Sequence, residues 1–193
     1  MDYDYDDTPA PVGMVPVDGR GSMPFALLHG ESLVAVASWA LGEAGVQLLD
    51  FTASWDEVRE LGAALVIHDP LCPATPVAFL REAVTAAADG SVVVGVRPVT
   101  DTVKQADGDV LGETVDRSGL VAVASPVVIP AQVLRTLAEP PADDDLADLA
   151  DLAAHLGADH PVRHLEAPAA ARRVVDESDL RVLEALHADP RDG

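Results

Sequence analysis

A run of valines in the middle of the chain places the strongest limit on its fold. Residues 92–96 are β-branched apart from one glycine and are bounded by a glycine and a proline, which is typical of a buried strand. Two further strand-like segments follow, residues 110–115 and residues 120–124, with a polar turn between them. The pattern therefore predicts a hairpin-like arm, from about Thr102 to Leu120, that leaves a buried strand and returns.

Amphipathic helices alternate with the other predicted strands. Ser32 and Ser54 precede two of these helices as capping residues, and Glu57 completes a capping box with Ser54. Leucines at helical spacing predict a helix after residue 142 and a closing helix over residues 178–187. Their inward-facing leucines are predicted to be Leu146, Leu149, Leu152 and Leu156 in the first helix and Leu180, Leu183 and Leu186 in the second.

The length of 193 residues suits one domain with a sizeable hydrophobic core. We predict that this domain spans residues 12–188. Residues 1–11 are acidic and carry two prolines, so we expect a disordered tail there. Residues 189–193 are predicted to form a second, shorter tail.

The charge of the chain excludes two classes of partner. Thirty-three acidic residues against twelve basic ones give a formal net charge of −21, which repels both nucleic acid and anionic membranes. No basic patch offsets this charge: the largest basic cluster is Arg172-Arg173, and Lys104 is the only lysine. A single cysteine, Cys72, no apolar run of membrane-spanning length and an acidic start predict a cytoplasmic protein.

Three motifs in the central stretch occur in a fixed order. They are Pro-Val-Thr-Asp-Thr-Val-Lys at residues 98–104, Val-Asp-Arg-Ser-Gly-Leu at residues 115–120, and Ser125-Pro126. In these motifs the chain resembles the 2-C-methyl-D-erythritol 4-phosphate cytidylyltransferases. The resemblance implies a Rossmann-like nucleotidyltransferase α/β fold, with a mostly parallel sheet flanked by helices and a protruding β-arm. It also implies a homodimer, because the family's arm delivers residues to the neighbouring subunit's site.

The nucleotide side of the resemblance is incomplete. The family follows its first strand with a glycine-rich loop that binds the triphosphate, and Gly19, Arg20 and Gly21 are what remains of that loop. Asp18 lies inside the loop, and Phe25 stands where the family has a lysine. The segment that holds the cytosine and ribose is missing between the second and third predicted strands. The three loop residues also fit an ordinary strand-to-helix turn.

The sugar-phosphate side is better retained. Thr102, Arg117 and Ser125 stand where the family's phosphate-binding residues lie, so the resemblance predicts a site for a phosphorylated small molecule. Asp69 follows a predicted strand at the edge where open α/β sheets bind ligands. It is a candidate to contact the substrate hydroxyls or Mg²⁺, and it also fits a residue that only caps the following turn. Arg173 replaces the family's C-terminal lysine.

Two functions follow from these residues. In the first, the protein is a degenerate member of the family that keeps the fold, the arm and a phosphomonoester half-site, with weak or no cytidylyl transfer and no cofactor. In the second, it is an active CTP- and Mg²⁺-dependent cytidylyltransferase with a rearranged loop, in which Asp69, Arg173 and Arg20 are the catalytic residues. Catalysis of this reaction depends on positioning and on charge stabilisation.

A histidine cluster near the C-terminus is a candidate metal site. His155, His160 and His164 lie close in sequence, but their spacing matches none of the usual zinc-ligand patterns. The three adjacent aspartates at residues 143–145 are better explained as acids at the positive end of a helix than as metal ligands. The sequence therefore predicts no zinc centre.

Overall fold

The computed structural model describes residues 9–50, 53–100, 102–108 and 110–187. Both predicted tails fall largely outside these residues. Within them, the strands are β1 (Val12–Met14), β2 (Leu27–Leu28), β3 (Glu31–Ser32), β4 (Gln47–Leu48), β5 (Leu65–Ile67), β6 (Val92–Pro98), β7 (Val103–Asp107), β8 (Val110–Val115), β9 (Val121–Ile129) and β10 (Val162–Glu166). The helices are α1 (Leu33–Glu43), α2 (Trp55–Glu60), α3 (Val77–Ala86), α4 (Ala131–Thr136), α5 (Asp143–Ala147), α6 (Leu149–Asp159) and α7 (Glu177–His187).

Six strands form the central sheet, in the order β10-β6-β9-β5-β1-β4. Strand β9 runs antiparallel to both of its neighbours, β5 and β6, while the other pairs are parallel. Five strands therefore share one direction. The predicted mostly parallel α/β fold is confirmed.

The valine run builds the core on both faces of the sheet because alternate side chains of a strand point to opposite sides. Val92, Val94 and Val96 face one cluster, which contains apolar side chains of α2, α4 and α6. Val93 faces the other cluster, which contains apolar side chains of α1 and α3. A strand buried on both faces explains why its sequence is apolar without alternation.

The capping predictions are confirmed in detail. The Ser32 side chain accepts a hydrogen bond from the Ala35 N–H at the start of α1. At α2, the Ser54 N–H donates to the Glu57 carboxylate at 2.7 Å, and the Glu57 N–H donates back to the Ser54 hydroxyl at 3.3 Å. These hydrogen bonds satisfy backbone donors that the first turn of a helix leaves without partners.

Two helix predictions need correction. The helix predicted through Leu146 and Leu156 is two helices, since Asp148 takes an extended conformation and its side chain caps α6. Leu186 was predicted to face inward on α7, but it is 71% exposed, whereas Leu180 and Leu183 are buried. Helix α7 ends its contact with the body one turn earlier than its leucine pattern indicates.

The arm is a two-stranded antiparallel sheet, separate from the central one. Val103 pairs with Val115, and Asp107 pairs with Val110 across the turn at Gly108, whose φ is +57°. A change of register between Lys104 and Ala106 interrupts the pairing. The predicted arm is confirmed, although the side chains of Val110 and Leu111 lie outside the described part. None of the described helices is long and apolar enough to cross a membrane.

Candidate functional site

The carboxyl ends of β1 and β5 lie side by side and bring the candidate residues together. β1 pairs with β5 in parallel, with Met14 opposite Ile67, so the glycine loop after β1 lies next to His68 and Asp69 after β5. Gly19 and Gly21 have φ angles of +73° and +58°, which glycine adopts more readily than other residues. The loop thus bends sharply and turns the Arg20 side chain into the protein, where it is fully buried.

Two arginines meet on one carboxylate. The Arg20 Nε lies 2.9 Å from Asp69 Oδ1, and the Arg173 Nε lies 3.0 Å from Asp69 Oδ2. Asp69 Oδ1 also accepts a hydrogen bond from the Leu71 N–H at 3.0 Å. The Asp69 side chain is only 5% exposed, while that of Arg173 is 43% exposed. The three predicted catalytic residues therefore form one ion-pair cluster with a net charge of +1.

This cluster does not fit a magnesium site. Mg²⁺ requires carboxylate oxygens that are free to coordinate, and both oxygens of Asp69 are held by positive or N–H donors. No group of three or more acidic, histidine or cysteine side chains able to hold a metal ion occurs among the described residues. The turn-capping alternative for Asp69 has direct support, since its carboxylate accepts the N–H two residues further on.

A second polar contact lies directly beneath the cluster. The Ser125 hydroxyl accepts a hydrogen bond from the Asp69 N–H at 2.9 Å, and its oxygen lies within hydrogen-bond distance, 2.5 Å, of His68 Nδ1. Both side chains are fully buried. Nε2 of His68 is buried and has no hydrogen-bond partner in the described structure. Burial lowers the pKa of His68 from 6.5 to about 4, although the nearby Asp69 charge opposes this shift.

Cys72 lies next to the same cluster and has no nucleophilic character. Its side chain is fully buried. Burial and the charge of Asp69 raise the pKa of its thiol above the ordinary value of 9.0, which keeps the sulfur protonated. Cys72 acts as a small apolar side chain of the core.

The structure places the predicted phosphate-binding residues in two separate regions of the chain. Ser125 is buried with His68 and Asp69, whereas Thr102 and Arg117 are exposed on the arm and at its base. The Arg117 Nη1 donates to the Thr100 carbonyl. Arg117 also lines an open groove of about 560 Å³ between the arm and β10, together with His164, Glu166 and several apolar side chains.

A second cavity lies beside the glycine loop. Its volume is about 570 Å³, and it extends between the loop, α1, α2 and the ends of β1 and β4. Its described lining is mostly apolar, and the charged residues in that lining are Asp18 and Asp50. A lining of this kind offers no basic partner for a phosphate group.

The histidines near the C-terminus do not converge. His155 Nδ1 lies 3.6 Å from a carboxylate oxygen of Asp145, while His160 and His164 line a shallow groove against α6. His164 lies four positions after His160, and the chain is in the extended strand β10 from Val162 onward.

Sequence reasoning found the residues of the Asp69 cluster but missed how they interact. Arg20 and Asp69 are 49 positions apart, and Arg173 is 104 positions from Asp69, so no local pattern predicts their pairing. It also missed the contact between His68 and Ser125. The available signal was the His-Asp pair directly after a buried strand, because a polar pair there must be hydrogen-bonded once it is buried.

Known proteins of one family match this chain over most of its length. The sequence model of the 2-C-methyl-D-erythritol 4-phosphate cytidylyltransferase family matches residues 54–188. A cytidylyltransferase of that name from Parasynechococcus marenigrum is 38% identical over 133 residues, which are 67% of this chain and 58% of that protein. A bifunctional enzyme IspD/IspF from Clavibacter michiganensis is 37% identical over 164 residues, which are 80% of this chain and 39% of that protein.

A solved structure shows the same fold. The crystal structure of 2-C-methyl-D-erythritol 4-phosphate cytidylyltransferase from Thermus thermophilus superposes with a TM-score of 0.66 at 22% identity, covering 92% of this chain and 98% of that one. The curated relatives are longer, and this chain spans between 32% and 58% of their length.

Proposed function

This chain belongs to the 2-C-methyl-D-erythritol 4-phosphate cytidylyltransferase family, and on that basis we propose that it is a degenerate member with a phosphomonoester half-site. It binds a phosphorylated sugar alcohol weakly and transfers cytidylyl groups slowly or not at all. The observation that carries this proposal is the pairing of Arg20 with Asp69. A guanidinium that is fully buried on a carboxylate no longer faces a triphosphate.

The surroundings of the loop support the loss of CTP binding. Asp18 is an exposed acid in the loop itself, and Phe25, at the position of the family's lysine, is 60% exposed. The cavity beside the loop presents carboxylates and apolar groups. Asp18 and the carboxylates of the cavity repel a triphosphate, while Phe25 and the apolar lining offer it no charged partner.

The retained half-site is assembled between two subunits. The separation of Thr102 and Arg117 from Ser125 within one subunit agrees with an arm that carries the first two residues to a neighbour. Arg173 is 43% exposed and stands beside Asp69, which places a positive charge at the entrance of the body's half of this site. The location proposed for the protein is the cytoplasm, in keeping with its single cysteine, which is free and buried.

The second candidate function is an active cytidylyltransferase with a rearranged nucleotide loop. One observation favours it: Arg20, Asp69 and Arg173 meet at the carboxyl edge of the sheet, where this class of fold binds its ligands. In that case the two arginines and the loop amides supply the charge stabilisation for attack of a substrate phosphate on the α-phosphorus of CTP, with pyrophosphate as the leaving group.

Ligand binding separates the two candidates. We expect calorimetry to detect weak binding of 2-C-methyl-D-erythritol 4-phosphate and little or no binding of CTP, with or without Mg²⁺.

Arg117→Ala is expected to weaken phosphomonoester binding by about 10- to 150-fold, since a hydrogen bond to a charged group contributes roughly 1.5–3 kcal/mol. Arg163→Ala is the matched control, because Arg163 is an exposed arginine that pairs with Asp89. Tight Mg²⁺-dependent CTP binding, or pyrophosphate release when both substrates are present, would establish the active enzyme instead.

We expect the protein to be a homodimer joined through the arm. Leu120 and Val121 are 37% and 45% exposed at the base of the arm, and exposed apolar residues next to a two-stranded hairpin favour burial in an interface. Sedimentation velocity at micromolar concentration is expected to show a dimer that Val121→Asp dissociates. Val182→Asp should leave the dimer intact, since Val182 is equally exposed (48%) but lies on α7. A wild-type monomer at that concentration contradicts the proposed two-subunit site.

A further inference from the structure

The cavity beside the glycine loop lies at the carboxyl edge of the central sheet. β1 and β4 pair in parallel, with Gly13 opposite Leu48, so the segments that follow both strands leave the sheet side by side. Residues of these segments border the cavity together with residues of α1 and α2. The volume of about 570 Å³ is within the range of small-molecule sites, and open α/β sheets bind their ligands at this edge.

The floor of the cavity is apolar and belongs to the core. Val58 and Leu65 are 4% and 0% exposed and are members of the main hydrophobic cluster, and Met14 and Trp55 pack against the same cluster. Because core packing holds these side chains, the floor offers a fixed apolar surface. The apolar body of a ligand that covers this surface removes it from water, which favours binding.

The polar side chains around the cavity are hydrogen-bond acceptors, with one exception. Asp18 and Asp50 are exposed, and ionised carboxylates only accept. The Ser38 hydroxyl donates its proton to the Val34 carbonyl at 2.7 Å, so its oxygen can only accept a further hydrogen bond. The exception is the indole N–H of Trp55, and the face of that ring attracts cations. The described lining contains no lysine, arginine or histidine.

We propose that this cavity binds a small protonated amine with an aromatic or branched aliphatic body. The amine lies at the mouth, beside Asp18 and Asp50, and the body covers the apolar floor. Carboxylates that repel a phosphate attract an ammonium group, and the net charge of −21 raises the concentration of cations near the surface. The inference goes beyond the proposed phosphomonoester half-site and does not depend on it.

Three probes of the same shape test the charge preference. They are 2-phenylethylamine, 2-phenylethanol and 3-phenylpropionate, which carry a positive, a neutral and a negative group on one aromatic body. We expect calorimetry to show the amine binding at least about fivefold more tightly than the alcohol, the contribution of a well-placed ion pair near the surface, and the carboxylate binding most weakly. About 0.5 M NaCl should reduce the preference for the amine without weakening the alcohol.

A charge variant assigns the preference to the mouth of the cavity. The double variant Asp18→Asn, Asp50→Asn keeps the shape and the acceptors, and it is expected to bind the amine and the alcohol with equal affinity. The matched control is Asp151→Asn, Asp159→Asn, which removes two exposed acids of α6 that are not part of the lining. This control should keep the preference of the wild type. A control that loses the preference as well shows that only the net charge of the protein matters, which overturns the proposal.

A filling variant locates the apolar body. Val34→Phe projects a ring into the cavity from α1 and is expected to weaken both the amine and the alcohol at least about tenfold, whereas Ala35→Phe, at an exposed position outside the lining, should not. In a Trp39→Phe background Trp55 is the only tryptophan, and its emission should shift to the blue when the amine displaces water from the floor.

The wild-type protein decides the proposal even if a variant does not fold. Equal affinities for the amine and the alcohol, tighter binding of the carboxylate, or no binding of the amine overturns it. An amine that binds without changing the Trp55 emission lies outside the cavity and overturns it too. None of the probes carries a phosphate, so the phosphomonoester half-site is judged separately, by its own ligand.

Discussion

Replacing Asp69 with alanine is expected to lower the free energy of unfolding by about 3–5 kcal/mol, the usual loss when one partner of a buried ion pair is removed. The substitution leaves the fully buried Arg20 guanidinium without its counter-ion and the Leu71 N–H without its acceptor. We assign most of the loss to Arg20, because the side chain of Arg173 is 43% exposed and water screens its charge. Urea denaturation followed by circular dichroism measures this change.

Asp56→Ala is the matched control for this prediction. Asp56 also pairs with an arginine, Arg59, at 3.3 Å, but its side chain is 87% exposed. An exposed ion pair of this kind contributes no more than about 1 kcal/mol, so the control should remain close to the wild type. If Asp69→Ala costs no more than Asp56→Ala, the buried ion pair of Arg20 with Asp69 does not stabilise the loop.

The sequence predicted the elements of this fold where local chemistry decides them. The helix starts at Ser32 and Ser54 follow from hydrogen bonds within one turn, and the valine run of β6 follows from burial on both faces. Leu186 is a residue whose burial the leucine spacing does not predict correctly. Its spacing matches that of Leu180 and Leu183, but whether the body extends far enough to cover it depends on tertiary packing, which periodicity does not report.

The candidate site was predicted residue by residue but not as an arrangement. The family resemblance predicts ligand contacts for Arg20, Asp69 and Arg173, with an ordinary turn as the alternative for the loop of Arg20 and a turn cap as the alternative for Asp69. The structure shows that they bind one another, a result that depends on the parallel pairing of β1 with β5 and on the return of the segment before α7. Contacts of this range are set by topology, and one sequence on its own does not specify which charges meet.

The break between α5 and α6 at Asp148 has a similar origin. The leucine spacing from Leu146 to Leu156 continues without interruption, so the sequence predicts one helix. The Asp148 side chain caps the Ala150 N–H, which starts a new helix and turns α5 toward the loop. A capping residue within a helical pattern competes with helix continuation, and here the contact of Ala147 with Gly19 favours the break.

Acidification is expected to destabilise the protein through His68, well above the pH at which its carboxylates titrate. His68 has a pKa of about 4 in the folded state and 6.5 when unfolded, because burial disfavours the imidazolium. The unfolded state therefore binds the additional proton between these values. The stabilisation is complete above about pH 6.5 and is lost as the pH falls toward 4. One group contributes about 2 kcal/mol of loss by about pH 5 and about 3 kcal/mol in total.

Urea midpoints measured from pH 7.5 to about pH 5 isolate this effect, because the acids with lowered pKa values, Glu57, Asp89, Asp116 and Asp176, lose their contributions only below their ordinary values of 4.5 or 3.8. His68→Asn keeps a hydrogen-bonding side chain near the Ser125 hydroxyl but does not titrate, so we expect lower stability with a flatter pH dependence. His164→Asn, an exposed control, should retain the wild-type slope. A wild-type slope in His68→Asn would show that another group causes the acid sensitivity and that the His68–Ser125 contact beneath Asp69 is not responsible for it.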